Sequence, residues 1–361
     1  MKVFANHFTS RRRHFIWLVI FSLIALAFFS LLSNANARRN LNLKVSMQNV
    51  AYKGWKNNLQ LTNGTVDLIL TLDVGPRIIR YGFIGEPNVF KEYEEQLGKS
   101  GESDWQIRGG HRLWHAPEDP VRTYALDNTP IKFEKLGENS VRLIQPVEKL
   151  TGIQKEIDVA LEAEGSGVTL THRLRNTSTT SVELAPWALT VMAQGGTAII
   201  PLPEKIKHPG SLEPGEKPDY RGFVANQNLI LWPFTDLADP RWRWGTRYIT
   251  LTQDKTAKTP TKLGLAHKLG WVGYLNAGTL FIKAFTYQES KPYTDGGSSF
   301  ETFTNKDMLE VETLGPLQSL APGKAIEHVE RWRLLKGLPN ETTDSAIDVN
   351  LRPRIESLLK K

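Results

Sequence analysis

The chain has 361 residues, 40% of them hydrophobic and 23% charged, and it contains no cysteine. This composition is typical of a globular protein and excludes a disordered or fibrous chain, and the lack of cysteine excludes disulfides, thiolate metal sites and a cysteine nucleophile. The formal net charge is +7, but residues 1–37 hold four basic side chains and no acidic one. The small excess left on the body of the chain gives no basic footprint for phosphates, so we expect no nucleic-acid partner.

The first 37 residues have the features of an export signal. Three arginines at 11–13 precede an apolar run at 15–32, and the Ala-Asn-Ala sequence at 35–37 supplies the small-x-small pattern that a signal peptidase recognises. The alternative is a retained membrane anchor formed by residues 15–32, because the run just reaches the length needed to span a bilayer. In either case we expect a periplasmic or extracellular body, with membrane contact only through this segment if it is uncleaved.

From about residue 45 the hydrophobic pattern has a period of two, which is typical of strands. Val66, Leu68, Leu70 and Leu72 share one face of the first clear example. Similar patterns predict further strands at 157–161, 168–174, 182–192, 247–253, 271–275, 279–285, 299–304, 307–314 and 326–334. Helical spacing is limited to a short segment at 88–98 and a C-terminal one at 344–360.

This order of elements predicts an all-β fold, since it lacks the alternation of strand and helix that builds parallel α/β sheets. So many strands must close into a barrel or pack as sheet on sheet. We expect one large antiparallel β domain over residues 45–336, with a C-terminal tail, 337–361, that is helical and follows it.

Three segments together resemble the galactose-mutarotase-like superfamily, which includes the aldose 1-epimerases. They are VDLILTLDVGPRIIRYGFIGEPNVF at 66–90, GVTLTHRLRNTS at 167–178 and MLEVETLGPLQSLAPGKAIEHVERWRL at 308–334. The stretches GGHRLWHAPEDP at 109–120 and DLADPRWRWG at 236–245 are more similar to a bacterial exported branch of that superfamily with no settled activity. The resemblance implies a β-supersandwich and a saccharide ligand.

The resemblance also implies acid–base chemistry on a sugar hemiacetal. A base removes the proton from the anomeric hydroxyl while an acid protonates the ring oxygen, and no metal or organic cofactor is needed. By resemblance Glu312 is the catalytic base and His172 the catalytic acid. Glu310 lies two residues from Glu312 on the same strand face, and two close carboxylates raise one another's pKa. The alternatives are an exposed polar face for the two glutamates and a hydrogen-bonded core position for His172.

Further candidates for saccharide contact lie in two early segments. His111 and His115 flank Trp114 in a segment that glycines open and prolines close, and loops of this kind often carry function. The same glycines and prolines disfavour the helix on which a His-x-x-x-His pair binds zinc, so we expect no metal. Arg77 either contacts a sugar hydroxyl or pairs with Asp73.

Two later candidates complete the set. Glu301, on the strand before Glu312, is a rival carboxylate for that role. Trp242 belongs to a tryptophan-rich segment that either stacks on a sugar ring or forms a small secondary core. These residues leave three functions open: an aldose-epimerase-like enzyme, a non-catalytic glycan-binding or glycan-processing protein on the same scaffold, and a polysaccharide-cleaving enzyme that uses Glu301 with Glu312.

Overall fold

A computed structural model describes residues 44–359 of the chain. The predicted export signal or membrane anchor lies outside these residues. Within them, no helix combines the length and the apolar character that crossing a membrane requires.

The described residues form two large antiparallel sheets, whose strands are numbered here along the chain. The larger sheet contains, in spatial order, β1 (Ser46–Tyr52), β2 (Trp55–Thr62), β3 (Val66–Thr71), β4 (Arg77–Phe83), β5 (Gly110–Ala116), β10 (Val182–Met192), β19 (Leu309–Leu314), β18 (Phe300–Thr304), β15 (Thr261–Leu265) and β12 (Leu229–Leu231), with β20 (Gln318–Leu320) paired to β10. The second sheet contains β13 (Trp242–Trp244), β14 (Tyr248–Thr252), β11 (Thr197–Pro201), β16 (Trp271–Asn276), β17 (Thr279–Phe285), β21 (Ala325–Leu335), β9 (Val168–Asn176), β8 (Ile153–Leu161), β7 (Ser140–Ile144) and β6 (Lys132–Lys135).

The two sheets pack face to face around one hydrophobic core, so the predicted all-β sandwich is confirmed. Both layers supply the core through every second residue of a strand, for example Leu170 of β9 and Val311 of β19. The residues next to Val311, Glu310 and Glu312, therefore point to the opposite, outer face of the larger sheet.

Helical structure in the described residues is short. The C-terminal segment is helical in three consecutive pieces, Asp344–Ala346, Ile347–Leu351 and Arg352–Leu359, and it packs its apolar side chains on the second sheet. Two 3₁₀ turns, Pro209–Ser211 and Tyr220–Phe223, lie in the long loop after β11.

The helix predicted at 88–98 is wrong. Phe90 forms an isolated β-bridge with Met192, and Glu92 forms one with Gly109. Pairing with distant parts of the chain therefore holds the start of this segment extended, and local helical spacing is overridden by tertiary contacts.

Candidate functional site

A cavity of about 380 Å³ lies on the outer face of the larger sheet. Its floor comes from adjacent strands and its walls from the loops around them. The floor side chains are Arg112 and Trp114 of β5, Trp187 and Leu189 of β10, Glu310 and Glu312 of β19, Phe303 of β18 and Lys262 of β15, and the loop side chains include Trp105, Glu118, Tyr124, Trp232 and Phe234.

Strand register explains why these side chains meet. Leu189 of β10 lies opposite Arg112 on one neighbouring strand and opposite Glu312 on the other. Glu301 of β18 lies directly opposite Glu312. Side chains in one such row across a sheet point to the same face, so the pairing of four strands places an arginine, a leucine and two glutamates side by side.

The ammonium group of Lys262 is shared by two buried carboxylates, those of Glu301 and Glu312. Lys262 Nζ lies 2.7 Å from Glu301 Oε2 and 3.6 Å from Glu312 Oε2. The indole of Trp187 donates a hydrogen bond from Nε1 to the same Glu312 oxygen at 2.9 Å. The other oxygen, Glu312 Oε1, is buried and has no hydrogen-bond partner among the described residues.

The electrostatics of this group leave a proton on a carboxyl group. Burial, together with the charges of Glu310 and Glu301, raises the pKa of Glu312 to about 8, although Lys262 opposes the shift. Burial also raises the pKa of Glu301. A single ammonium cannot balance two ionised carboxylates away from water, and Lys262 lies closer to Glu301. We therefore assign the ion pair to Lys262 and Glu301, and the proton near neutral pH to Glu312.

Cations and aromatic rings alternate around the cavity. The guanidinium of Arg112 lies 4.2 Å from the centroid of the Trp114 ring and pairs with Glu310 at 2.9 Å. The ammonium of Lys262 lies 4.4 Å from the ring of Trp232. Cation–π contacts of this kind fix the rings in place, so the aromatic part of the cavity wall is rigid.

Of the predicted site residues, Glu312 and Trp114 line this cavity. Glu301 is fully buried beside it and pairs with the lining residue Lys262.

The predicted acid, His172, lies on the other side of the larger sheet. It occupies the fully buried space between the layers, where its Nδ1 donates to the carbonyl of His328 at 3.0 Å and its Nε2 lies 2.7 Å from His111 Nε2. Thr190 completes the chain of contacts, 2.9 Å from His111 Nδ1. Burial lowers the pKa of both imidazoles and keeps them neutral.

This placement corrects the predicted pairing. In β9, Val168, Leu170 and His172 share the face that packs into the core. Glu312 belongs to the outer face of β19, so the proposed acid and base do not share a cavity. His111 is turned inward for the same reason, since it alternates on β5 with the outward Arg112.

The inner cluster has the composition of a metal site but the geometry of a hydrogen-bond network. Ligand atoms of His111, His172 and Glu330 lie within 4.8 Å of one another. Two nitrogens bound to one tetrahedral zinc ion at their usual bond lengths would be about 3.3 Å apart, which exceeds the observed 2.7 Å. Glu330 is also paired with the buried ammonium of Lys283 at 2.9 Å. A divalent cation would add uncompensated charge to this dry space.

The remaining predicted residues are placed elsewhere. His115 is buried, 3.7 Å from Glu148, and does not line the cavity. Arg77 is fully buried and pairs with Asp127 at 2.9 Å, not with Asp73, while its other nitrogen donates to the carbonyls of residues 107 and 109. It therefore positions the loop that forms one rim. Trp242, on the edge strand β13 of the second sheet, is buried in the core and donates from Nε1 to Thr261 Oγ1 on β15 of the larger sheet.

Sequence reasoning missed several cavity residues. Arg112 stands two residues before Trp114 on one strand, so the period of two could have found it. Lys262, Trp187 and Tyr124 gave no such signal, because their contribution depends on which distant strands and loops become neighbours.

No family model matches the chain, and no curated protein matches it. Among solved structures, one from Synechocystis is 11% identical with a TM-score of 0.50, and the match covers 80% of this chain and 100% of that one. A TPR-domain containing protein from Parabacteroides distasonis is 14% identical with a TM-score of 0.51, with coverage of 79% of this chain and 48% of that one. A galactose mutarotase-like protein from Lactobacillus casei is 9% identical with a TM-score of 0.49, covering 77% and 100%.

The fold is a sandwich of two antiparallel sheets, and the likeness to the Synechocystis and Parabacteroides structures concerns this fold alone. A sandwich of this kind is what the resemblance carried by the three sequence segments implies. A fold hosts many activities, so the chemistry of this chain follows from its own cavity residues.

Proposed function

We propose that the cavity on the outer face of the larger sheet binds a saccharide. Its half-buried aromatic walls, including Tyr124 and Trp232, offer flat faces to the C–H faces of a sugar ring, and its charged groups can bond hydroxyls. One observation carries the proposal: the buried Glu312 Oε1 has no hydrogen-bond partner within residues 44–359 although it belongs to a cavity-lining side chain. A buried polar atom in that state is costly, and a ligand hydroxyl would satisfy it.

Calorimetric titration of the protein with a panel of monosaccharides and short oligosaccharides tests this proposal. Trp232→Ala should weaken binding of whichever sugar binds by about tenfold or more, because it removes a half-buried stacking face from the cavity wall. A wild-type protein that binds no saccharide of the panel would refute the proposal.

A second candidate function, interconversion of sugar anomers, is favoured by the raised pKa of Glu312. A carboxyl group that holds a proton near neutral pH is suited to protonate a ring oxygen. The reaction also needs a proton acceptor, and Glu310 is the candidate because it lines the same cavity. His172 has no part in this version.

Proton NMR exchange spectroscopy measures the rate at which the two anomers of a sugar interconvert in the presence of the protein, and this rate distinguishes the two functions. Catalysis predicts an exchange faster than in buffer that falls at least 100-fold in Glu312→Gln, in the range expected when a general acid–base group is lost. Binding without accelerated exchange would leave the non-catalytic glycan-binding function.

We also propose that residues 1–37 export the protein, on the basis of the sequence pattern alone. Mass spectrometry of the protein recovered from the producing cells should find a chain that begins at Arg38. A full-length chain in the membrane fraction would support the anchor instead.

A further inference from the structure

A second, larger cavity adjoins the first. It has a volume of about 930 Å³. The first cavity, on the outer face of the larger sheet, is called the aromatic cavity here, and the two cavities share Trp105 and Tyr124 as wall residues. Its other walls come from the loop after β5 and from the loop that joins β7 to β8. A ligand confined to the first cavity would contact only the shared rings of the second.

The walls of this adjoining cavity hold an unused donor and an unused acceptor. Gln145 is only 3% exposed, and its Nε2 is 3.4 Å from the carbonyl of Leu126, but its Oε1 has no partner among the described residues. On the wall that the two cavities share, Trp105 Nε1 is buried and has no acceptor within residues 44–359. A hydroxyl group can both donate to the amide oxygen and accept from the indole, whereas an alkyl chain can do neither.

The energetic difference favours a polar occupant. A buried polar atom left without a partner costs about 1–3 kcal/mol, and an alkyl chain would leave both atoms in that state. Val121, Val147 and Leu150 add exposed aliphatic groups to the rim, with exposures of 62%, 42% and 64%. Scattered apolar contacts beside hydrogen-bonding groups match the mixed surface of a sugar ring better than a purely apolar chain.

The charges in the walls of this adjoining cavity balance. The carboxylate of Glu148 lies 2.5 Å from Lys155 Nζ and accepts from Thr151 Oγ1 at 2.6 Å. Burial opposes ionisation, but the Lys155 charge and these hydrogen bonds lower the pKa of Glu148 to about 2, so the two groups form an ion pair with no net charge. Asp104 and Lys149, which also line the cavity, carry opposite charges, so the walls favour a neutral occupant.

We infer that the ligand is a neutral oligosaccharide, with one unit in the aromatic cavity and the next in the adjoining cavity. This inference rests on the proposed saccharide binding. Trp105 and Tyr124, whose ring centroids are 5.5 Å apart, would then contact the ligand at the junction of its two units.

Calorimetry with homologous series of one to three units tests the inference. The series run from glucose to maltotriose, from glucose to cellotriose, from mannose to mannotriose and from N-acetylglucosamine to its trimer. In the series that binds, the second unit should improve the dissociation constant by about tenfold, equivalent to about 1.4 kcal/mol. Gln145→Leu, which keeps the side-chain volume, should abolish that gain. Val147→Arg, at an exposed position, should abolish it by filling the cavity. Gln60→Ala on β2, outside both cavities, is the matched control.

The outcomes separate the two proposals. Failure of every sugar to bind would refute the proposed function itself. Binding of single units with no gain from the second, or a gain that survives both substitutions, would overturn only the oligosaccharide inference. Octyl glucoside is the apolar probe, and a gain from its alkyl chain in place of the second sugar would also overturn the inference.

Discussion

Replacing Glu312 with glutamine should make the protein more resistant to alkaline conditions. The pKa of the Glu312 carboxyl is raised from 4.5 to about 8 in the folded protein, so the folded state keeps a proton that the unfolded chain loses above pH 4.5. The stabilising contribution of this proton is complete below pH 4.5 and is lost as the pH rises toward 8. Glutamine cannot ionise and does not suffer this loss.

The size of the effect follows from the width of that window. Each pH unit within it changes the free energy of unfolding by at most about 1.4 kcal/mol for one proton. The stability of Glu312→Gln relative to wild type should therefore rise by a few kcal/mol between pH 5 and pH 9. Urea unfolding at several pH values measures this difference, and Glu183→Gln, an exposed position on β10, controls for the loss of one negative charge.

The reasoning would be refuted if the difference in the free energy of unfolding between Glu312→Gln and wild type stayed constant from pH 5 to pH 9. A constant difference would mean that the folded protein holds Glu312 ionised throughout, and the assignment of the proton would fail.

Three further predictions test the architecture. Lys283→Met should reduce the free energy of unfolding by about 3–5 kcal/mol because it leaves Glu330 charged and without its cation in a dry core. The double variant with Glu330→Gln should recover much of this loss. Denaturant unfolding of both variants that shows no recovery would contradict the ion pair. Trp232→Ala should weaken saccharide binding with little effect on stability, because Trp232 lines the cavity and is only half-buried, whereas Trp242→Phe should lower stability without changing the dissociation constant. Calorimetry and thermal unfolding on both variants would expose a reversed pattern. Gly109→Ala should lower the melting temperature by several degrees. The backbone at Gly109 has φ +92°, and the new Cβ would lie 1.9 Å from a backbone carbonyl oxygen. An unchanged melting temperature would contradict that local geometry.

The sequence was sufficient to predict the fold because the core of a sandwich takes every second residue of each strand. Val168, Leu170 and Leu174 show this pattern in β9, and the same alternation correctly separates Val311 from Glu312. The same pattern predicts a core position for His172, because this residue shares the apolar face of β9. The resemblance instead implies a reactive site, and the position in the core overrides it.

The missed part of the site depends on register between distant strands. Lys262 meets Glu301 because β15 pairs with β18, and Trp187 meets Glu312 because β10 pairs with β19. The sequence of a single chain carries no information about these pairings, because the hydrophobic period of a strand is two whichever strand lies beside it. The failed helix at 88–98 has the same origin.

The ion pair between Arg112 and Glu310 joins residues 198 positions apart. Loop-closure entropy makes contacts of this span form late, after local hairpins are complete. A polypeptide halted before β19 would thus contain most strands of both layers yet lack Glu310 and Glu312, and the cavity on the outer face would be incomplete. Ligand capture would then report that the whole architecture has been assembled, and a labelled sugar could be used to time the final stage of refolding.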